Sequence, residues 1–98
     1  MRIPIPHHLP KEEVRRRLRE RSHEIGNFVP GGMAKVATDW PSEDLMKLQV
    51  GAMGQQINGQ VEVEESQVVF VVDLPPALSF VEPMISGAIR KEGQKLLT

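Results

Sequence analysis

The stretch MKLQVGAMGQQINGQVEVEESQVVFVVDL, residues 46–74, decides how the rest of this 98-residue chain is read. Met46, Leu48, Val50 and Ala52 alternate with Lys47, Gln49 and Gly51, the period of a strand with one buried face. After Gly54, Ile57, Val61 and Val63 fall on one side, with Asn58, Gln60, Glu62 and Glu64 on the other. Gly59 takes an inward position, which predicts a bulge or the close approach of another backbone. Glu65-Ser66 is a tight link into a third run, Gln67 to Leu74. There Val68, Phe70 and Val72 fill one face while Val69 and Val71 fill the other, as in a strand that is central or covered twice.

Downstream, Pro75-Pro76 forbids continued pairing. Ser79 with Glu82 three residues on predicts a capping box. Val81, Ile85, Ala88, Ile89 and Leu96 then form a helical stripe, with Met84 and Leu78 beside it. Pro83 is tolerated because it falls in the first turn, and Lys91 and Lys95 suit the negative pole.

Upstream, Pro41-Ser42-Glu43-Asp44 is turn chemistry, and Asn27 to Gly32 is a loop. Met33 to Trp40 reads as a short strand with Val36, Thr38 and Trp40 on one side, helix being the alternative. A helix is predicted over residues 10–25, begun at Pro10, carrying the stripe Val14, Leu18 and Ile25, and closed by Gly26-Asn27. Its pairs Glu12–Arg16 and Glu13–Arg17 contribute about 0.3–0.5 kcal/mol each. In Arg2 to Pro6, isoleucine alternates with proline, which permits only an edge strand or an extended lead-in. The pieces predict an α+β fold: an antiparallel meander of about four to five strands, with an N-terminal and a C-terminal helix packed on one face. Residues 1–98 read as a single domain, large enough to bury about 60–65% of its unfolded surface.

Cysteine is absent, which removes disulfides and thiolate chemistry together. No apolar run reaches the roughly 18 residues of a membrane span, and the first residues lack the apolar core of a signal peptide, so a cytoplasmic protein is expected. Residues 1–26 hold seven basic groups against four acids, a net +3, leaving −4 for the rest of a chain of formal charge −1. That balance offers no global field for nucleic acid, and no such partner is expected.

Candidate chemistry is thin. His7-His8 suggests a metal or a proton shuttle, but adjacent histidines diverge and no acidic ligand lies near, so a lead-in to the helix is preferred. The run Arg15-Arg16-Arg17-Leu18-Arg19 places Arg15, Arg16 and Arg19 on the outer side of its helix, either a solvated face or a weak anionic contact. Gly51, Gly54 and Gly59 lack the Lys-Ser/Thr of a phosphate loop, and Ser42, Ser66 and Ser79 lack a nucleophile elbow. Glu62, Glu64 and Glu65 resemble an acid cluster only by composition. No catalytic, cofactor-binding or metal-binding residue is assigned. The candidate interaction surface is Val69 and Val71, with Arg15, Arg16 and Arg19; the second apolar face of the last strand needs cover from the chain itself, a second copy in a homodimer, or an apolar ligand.

The segment from His7 to Arg17, with His-His-Leu-Pro leading into an arginine-rich helix, resembles the start of the small polyhydroxyalkanoic acid system proteins, the granule-region family. Asp44-Leu45-Met46, Gly59-Gln60-Val61-Glu62-Val63 and Val71-Val72-Asp73-Leu74-Pro75 are similar to its strands, and Ile85 to Leu97 to its closing helix. The resemblance implies a small bacterial accessory protein, not an enzyme and without cofactor, whose partners are polyhydroxyalkanoate granules or granule proteins. A carrier or sensor of a hydrophobic small molecule, in a reduced helix-grip arrangement, is the alternative by fold analogy.

Overall fold

The computed structural model describes residues 1–24, 35–52 and 54–97. In order, the elements are β1 (Arg2–Pro6), α1 (Lys11–Arg21), β2 (Lys35–Ser42), β3 (Leu45–Ala52), β4 (Gln55–Val63), β5 (Gln67–Asp73), a 3-10 turn (Pro76–Val81) and α2 (Glu82–Leu96). The five strands form one antiparallel sheet in the order β1-β5-β4-β3-β2. Strands β2 to β5 are therefore the expected meander, and β1 comes back to pair beside β5. With the two helices this is the α+β fold that the alternation predicted.

Period-two alternation becomes rows of side chains across the sheet. Met46, Val61, Phe70 and Ile3 stand opposite one another on four successive strands, and each is at most 2% exposed. Val63, Val68 and Ile5 make a second row. Val14 and Leu18 of α1 and Ile85, Ile89 and Leu96 of α2 close over these rows, joined by Leu78, Val81 and Leu97. Each large side chain so buried contributes about 1.5–3 kcal/mol, so sheet and helices stabilise one another. In a third row, Leu48, Gly59 and Val72 are aligned. A Cβ on Gly59 would stand 2.9 Å from the Val71 carbonyl oxygen, the close backbone approach expected there.

The prolines of β1 follow hydrogen-bond parity. Met1 and Val72 exchange both backbone bonds, at 2.8 and 3.1 Å, and the His7 amide donates to the Ser66 carbonyl at 2.9 Å. Odd-numbered residues therefore bond to β5, while Pro4 and Pro6 turn their donorless nitrogens to the outer edge. Ile3 and Ile5 are buried and both prolines exposed. At the β3–β4 hairpin, Gly54 adopts φ 73°, a conformation that favours glycine.

Several boundaries differ from the sequence reading. Helix α1 is Lys11–Arg21 with Pro10 as its extended N-cap, and residues 22–24 tighten into a 3-10 turn. Ile25, Gly26-Asn27 and the loop to Gly32 lie outside the described residues. Arg16 pairs with Glu13 at i,i+3 and with Glu20 at i,i+4 rather than with Glu12. The segment 35–40 is strand, and it runs on through Pro41-Ser42, so the turn itself is Glu43-Asp44. A register shift between Asp39 and Ser42 accommodates the proline on this edge strand.

The capping box does not form. Pro76 starts the chain winding early, Leu78 donates to the Pro75 carbonyl, and Ser79 is already inside the 3-10 turn. An N-cap needs extended backbone, which Ser79 no longer has. Helix α2 begins at Glu82 with Val81 at the cap position and no side-chain cap, and Pro83 sits in its first turn.

Candidate interaction surface

The five arginines of α1 are all engaged within the chain. Arg15 Nε donates to Asp44 Oδ1 at 3.1 Å, and Lys11 Nζ reaches Asp44 Oδ2 at 3.1 Å, so α1 is tied to the β2–β3 turn. The Arg15 guanidinium, with Lys11 adding to it, holds the Asp44 carboxyl below its usual range. Arg16 is gripped by Glu13 and by Glu20, the latter at 2.8 Å. Arg17 pairs with Glu13 at 2.9 Å and also donates to the Leu96 carbonyl at 3.3 Å, where the last turn of α2 leaves an acceptor unfilled. Arg16 first, then Arg17, lowers the Glu13 pKa. Arg19 lies over the Trp40 ring, 4.6 Å from its centroid, a cation–π contact between α1 and β2. Arg21 pairs with Glu24. The surface around Arg15, Arg16 and Arg19 is a shallow groove of about 350 Å³ shared with Glu12, Glu20 and Glu43, mixed in charge rather than basic.

Val69 and Val71 face away from the helices, as the alternation of β5 requires. Val69 is nevertheless only 2% exposed. Its cross-strand neighbours are Pro4 and Glu62, while those of Val71 are Arg2 and Gln60. Arg2 on β1 reaches over β5 to Glu62 on β4, with nitrogen and oxygen 3.1 Å apart, and Gln60 Nε2 supports the same carboxylate at 2.8 Å. The aliphatic stem of Arg2 thus lies across the two valines. Arg2, and after it Gln60, lowers the Glu62 pKa. Val71 stays half-buried beside a shallow hollow of about 390 Å³ lined by Lys47, Gln49, Asn58, Gln60 and Asp73.

His7 is 4% exposed, with both ring nitrogens occupied. Nδ1 accepts from the Leu9 amide at 3.1 Å, which leaves Nε2–H to donate to the Glu64 carbonyl at 3.1 Å. The ring therefore joins the end of β1, the start of α1 and the β4–β5 hairpin. His8 beside it is exposed. Glu64 accepts from Gln67 Nε2 at 3.0 Å. Among the described residues no three His, Asp or Glu side chains gather in a way that would hold a metal ion.

The sequence reading missed one feature. Phe80 is 69% exposed and Met84 59% exposed, the large apolar side chains most open to water among the described residues. They lie four residues apart where the 3-10 turn passes into α2, beside exposed Pro76, Ala77 and Pro83. The helical period sets Met84 beside the stripe, but burial of Val81, Ile85 and Ile89 leaves it outward. A signal existed: Phe80 fits neither the stripe nor a polar face.

A family model described as "Putative polyhydroxyalkanoic acid system protein" matches residues 1–97. No curated protein and no solved structure matches the chain. No helix among the described residues is long and apolar enough to cross a membrane. With the family model spanning all of the fold from β1 to the end of α2, the chain belongs to this family of polyhydroxyalkanoic acid system proteins.

Proposed function

We propose that the protein is a non-enzymatic accessory of the polyhydroxyalkanoate system that docks, in the cytoplasm, on storage granules or their coat proteins through Phe80 and Met84. Membership of the family supplies the system. The observation that carries the docking surface is the exposure of these two side chains, four residues apart at the α2 start, while the large apolar side chains of the stripes and rows among the described residues are buried. A polyester surface is apolar and irregular, and Met adapts to such surfaces while an aromatic ring supplies area. Full burial of each is worth about 1.5–3 kcal/mol, enough together for reversible adsorption. The arginines of α1 hold helix to sheet in this reading and stay outside the contact.

The test is co-sedimentation of the purified protein with washed granules over a salt series. Binding that is indifferent to salt, and at least about tenfold weaker in a Phe80→Asp/Met84→Asp variant of unchanged melting temperature, is expected. Equal binding of that variant, or release of the native protein by salt, overturns the assignment of the surface.

A further inference from the structure

The two edges of the sheet are built differently. On β1, two of the three outward-facing backbone positions are prolines, so that edge offers few donors to another strand. On β2 the parity can be worked out in the same way. Val63 donates to the Asp44 carbonyl, so even-numbered residues of β3 bond to β4 and odd-numbered ones to β2. Gly51, Gln49 and Lys47 are therefore bonded to Lys35, Ala37 and Asp39. The amides and carbonyls of Val36 and Thr38 point outward, and no strand among the described residues pairs with them.

From this we infer that β2 is a homodimer edge, pairing antiparallel with β2 of a second copy about a two-fold axis at Ala37. In that register Val36 and Thr38 of the two copies face each other as hydrogen-bonded pairs, giving four backbone bonds. Ala37 meets its own counterpart at the axis, where a small exposed side chain permits close approach. Lys35 then stands directly opposite Asp39 of the second copy, twice by symmetry, in pairs where side chains come nearest. Asp39 already faces Lys47 within its own chain, so each acid would sit between two lysines. Shifting the axis to Val36 or Thr38 keeps the backbone pairing but sets Lys35 against Ala37 or Pro41. Only the register centred on Ala37 is complementary in charge. It would join two five-stranded sheets into one and cover Thr38, which is exposed beside buried Leu48.

The dimer does not depend on the granule reading, and its test uses the free protein. Sedimentation equilibrium over a concentration series should show the native chain at twice its 11.0 kDa mass. Lys35→Asp and Asp39→Lys each set like charges opposite one another, and each is expected to weaken dimerisation about tenfold or more. The double exchange, Lys35→Asp/Asp39→Lys, restores opposite charges across the axis while the new lysine still faces Lys47, so it should recover dimerisation in part, above either single exchange. Both positions are exposed, so circular dichroism should be unchanged throughout. A native chain that stays monomeric at roughly millimolar concentration, well above the range of a specific interface, overturns the inference. So does a dimer indifferent to the single exchanges, or one that the double exchange leaves no stronger than the single exchanges do.

Discussion

Helices α1 and α2 lie on the same face of the sheet but meet solvent in opposite ways. Helix α1 turns a row of arginines outward and then binds every one of them to a neighbour: Asp44, Glu13, Glu20, Glu24, Trp40 and the end of α2. Where the 3-10 turn passes into α2, Phe80 and Met84 are both left in water. The conspicuous charge therefore serves cohesion, and the quieter apolar pair is the surface that the proposed docking uses. A run of one residue type says less about function than the fate of each side chain does.

The largest effect that would break this comparison is removal of what α1 buries. Leu18 is fully buried, and Leu18→Ala should destabilise by about 2–5 kcal/mol in urea unfolding, with the arginine pairs unable to compensate. If the loss were only a few tenths, α1 would be held by its charges after all.

Next in size are the two glycines of α2. A Cβ on Gly93 would press on the Ile5 side chain and stand 3.4 Å from the Phe70 ring, so Gly93→Val should cost about 1–3 kcal/mol. Gly87 faces open space, and Gly87→Ala should stabilise by about 0.5–1 kcal/mol through helix propensity alone. Opposite signs measured in one helix would mark which of its sides carries the packing.

The smallest effect is that of acid. The carboxyls of Asp44, Glu13 and Glu62 are lowered below their ordinary values by Arg15, Arg16 and Arg2 respectively. A carboxyl depressed in the folded state contributes its stability above the unfolded value, 3.8 for Asp and 4.5 for Glu, and loses it as pH falls through the folded value. The urea midpoint should hold level above that window and decline below it, modestly because these groups are exposed to water. Arg2→Gln should flatten part of the decline by removing the cause at Glu62. An unchanged decline would detach the open face from the acid response.

The sheet was legible because burial on one side writes itself into alternate residues, as in Met46, Leu48 and Val50. Gly59 was legible too, since a glycine among inward valines has few other reasons to be there. Ser79 was misread because Pro76 began the winding before the cap position, a competition between two local signals that only the folded backbone resolves. The arginine partners were hidden by distance along the chain: Asp44 lies 29 residues from Arg15, and Glu62 lies 60 from Arg2. Phe80 escaped notice because periodicity marks what is buried and is silent about an apolar residue left out.

Strand β1 has a consequence for handling the chain outside its native state. Its first bond, from Met1 to Val72, spans 71 positions, so docking it demands a long chain closure. Wherever β1 is absent, β5 presents a bare rim whose valines and phenylalanine are attractive to any other strand, a template for fibrous self-association. The five residues from Arg2 to Pro6 act as a stopper, and truncating them should show itself as turbidity before it shows as lost helix.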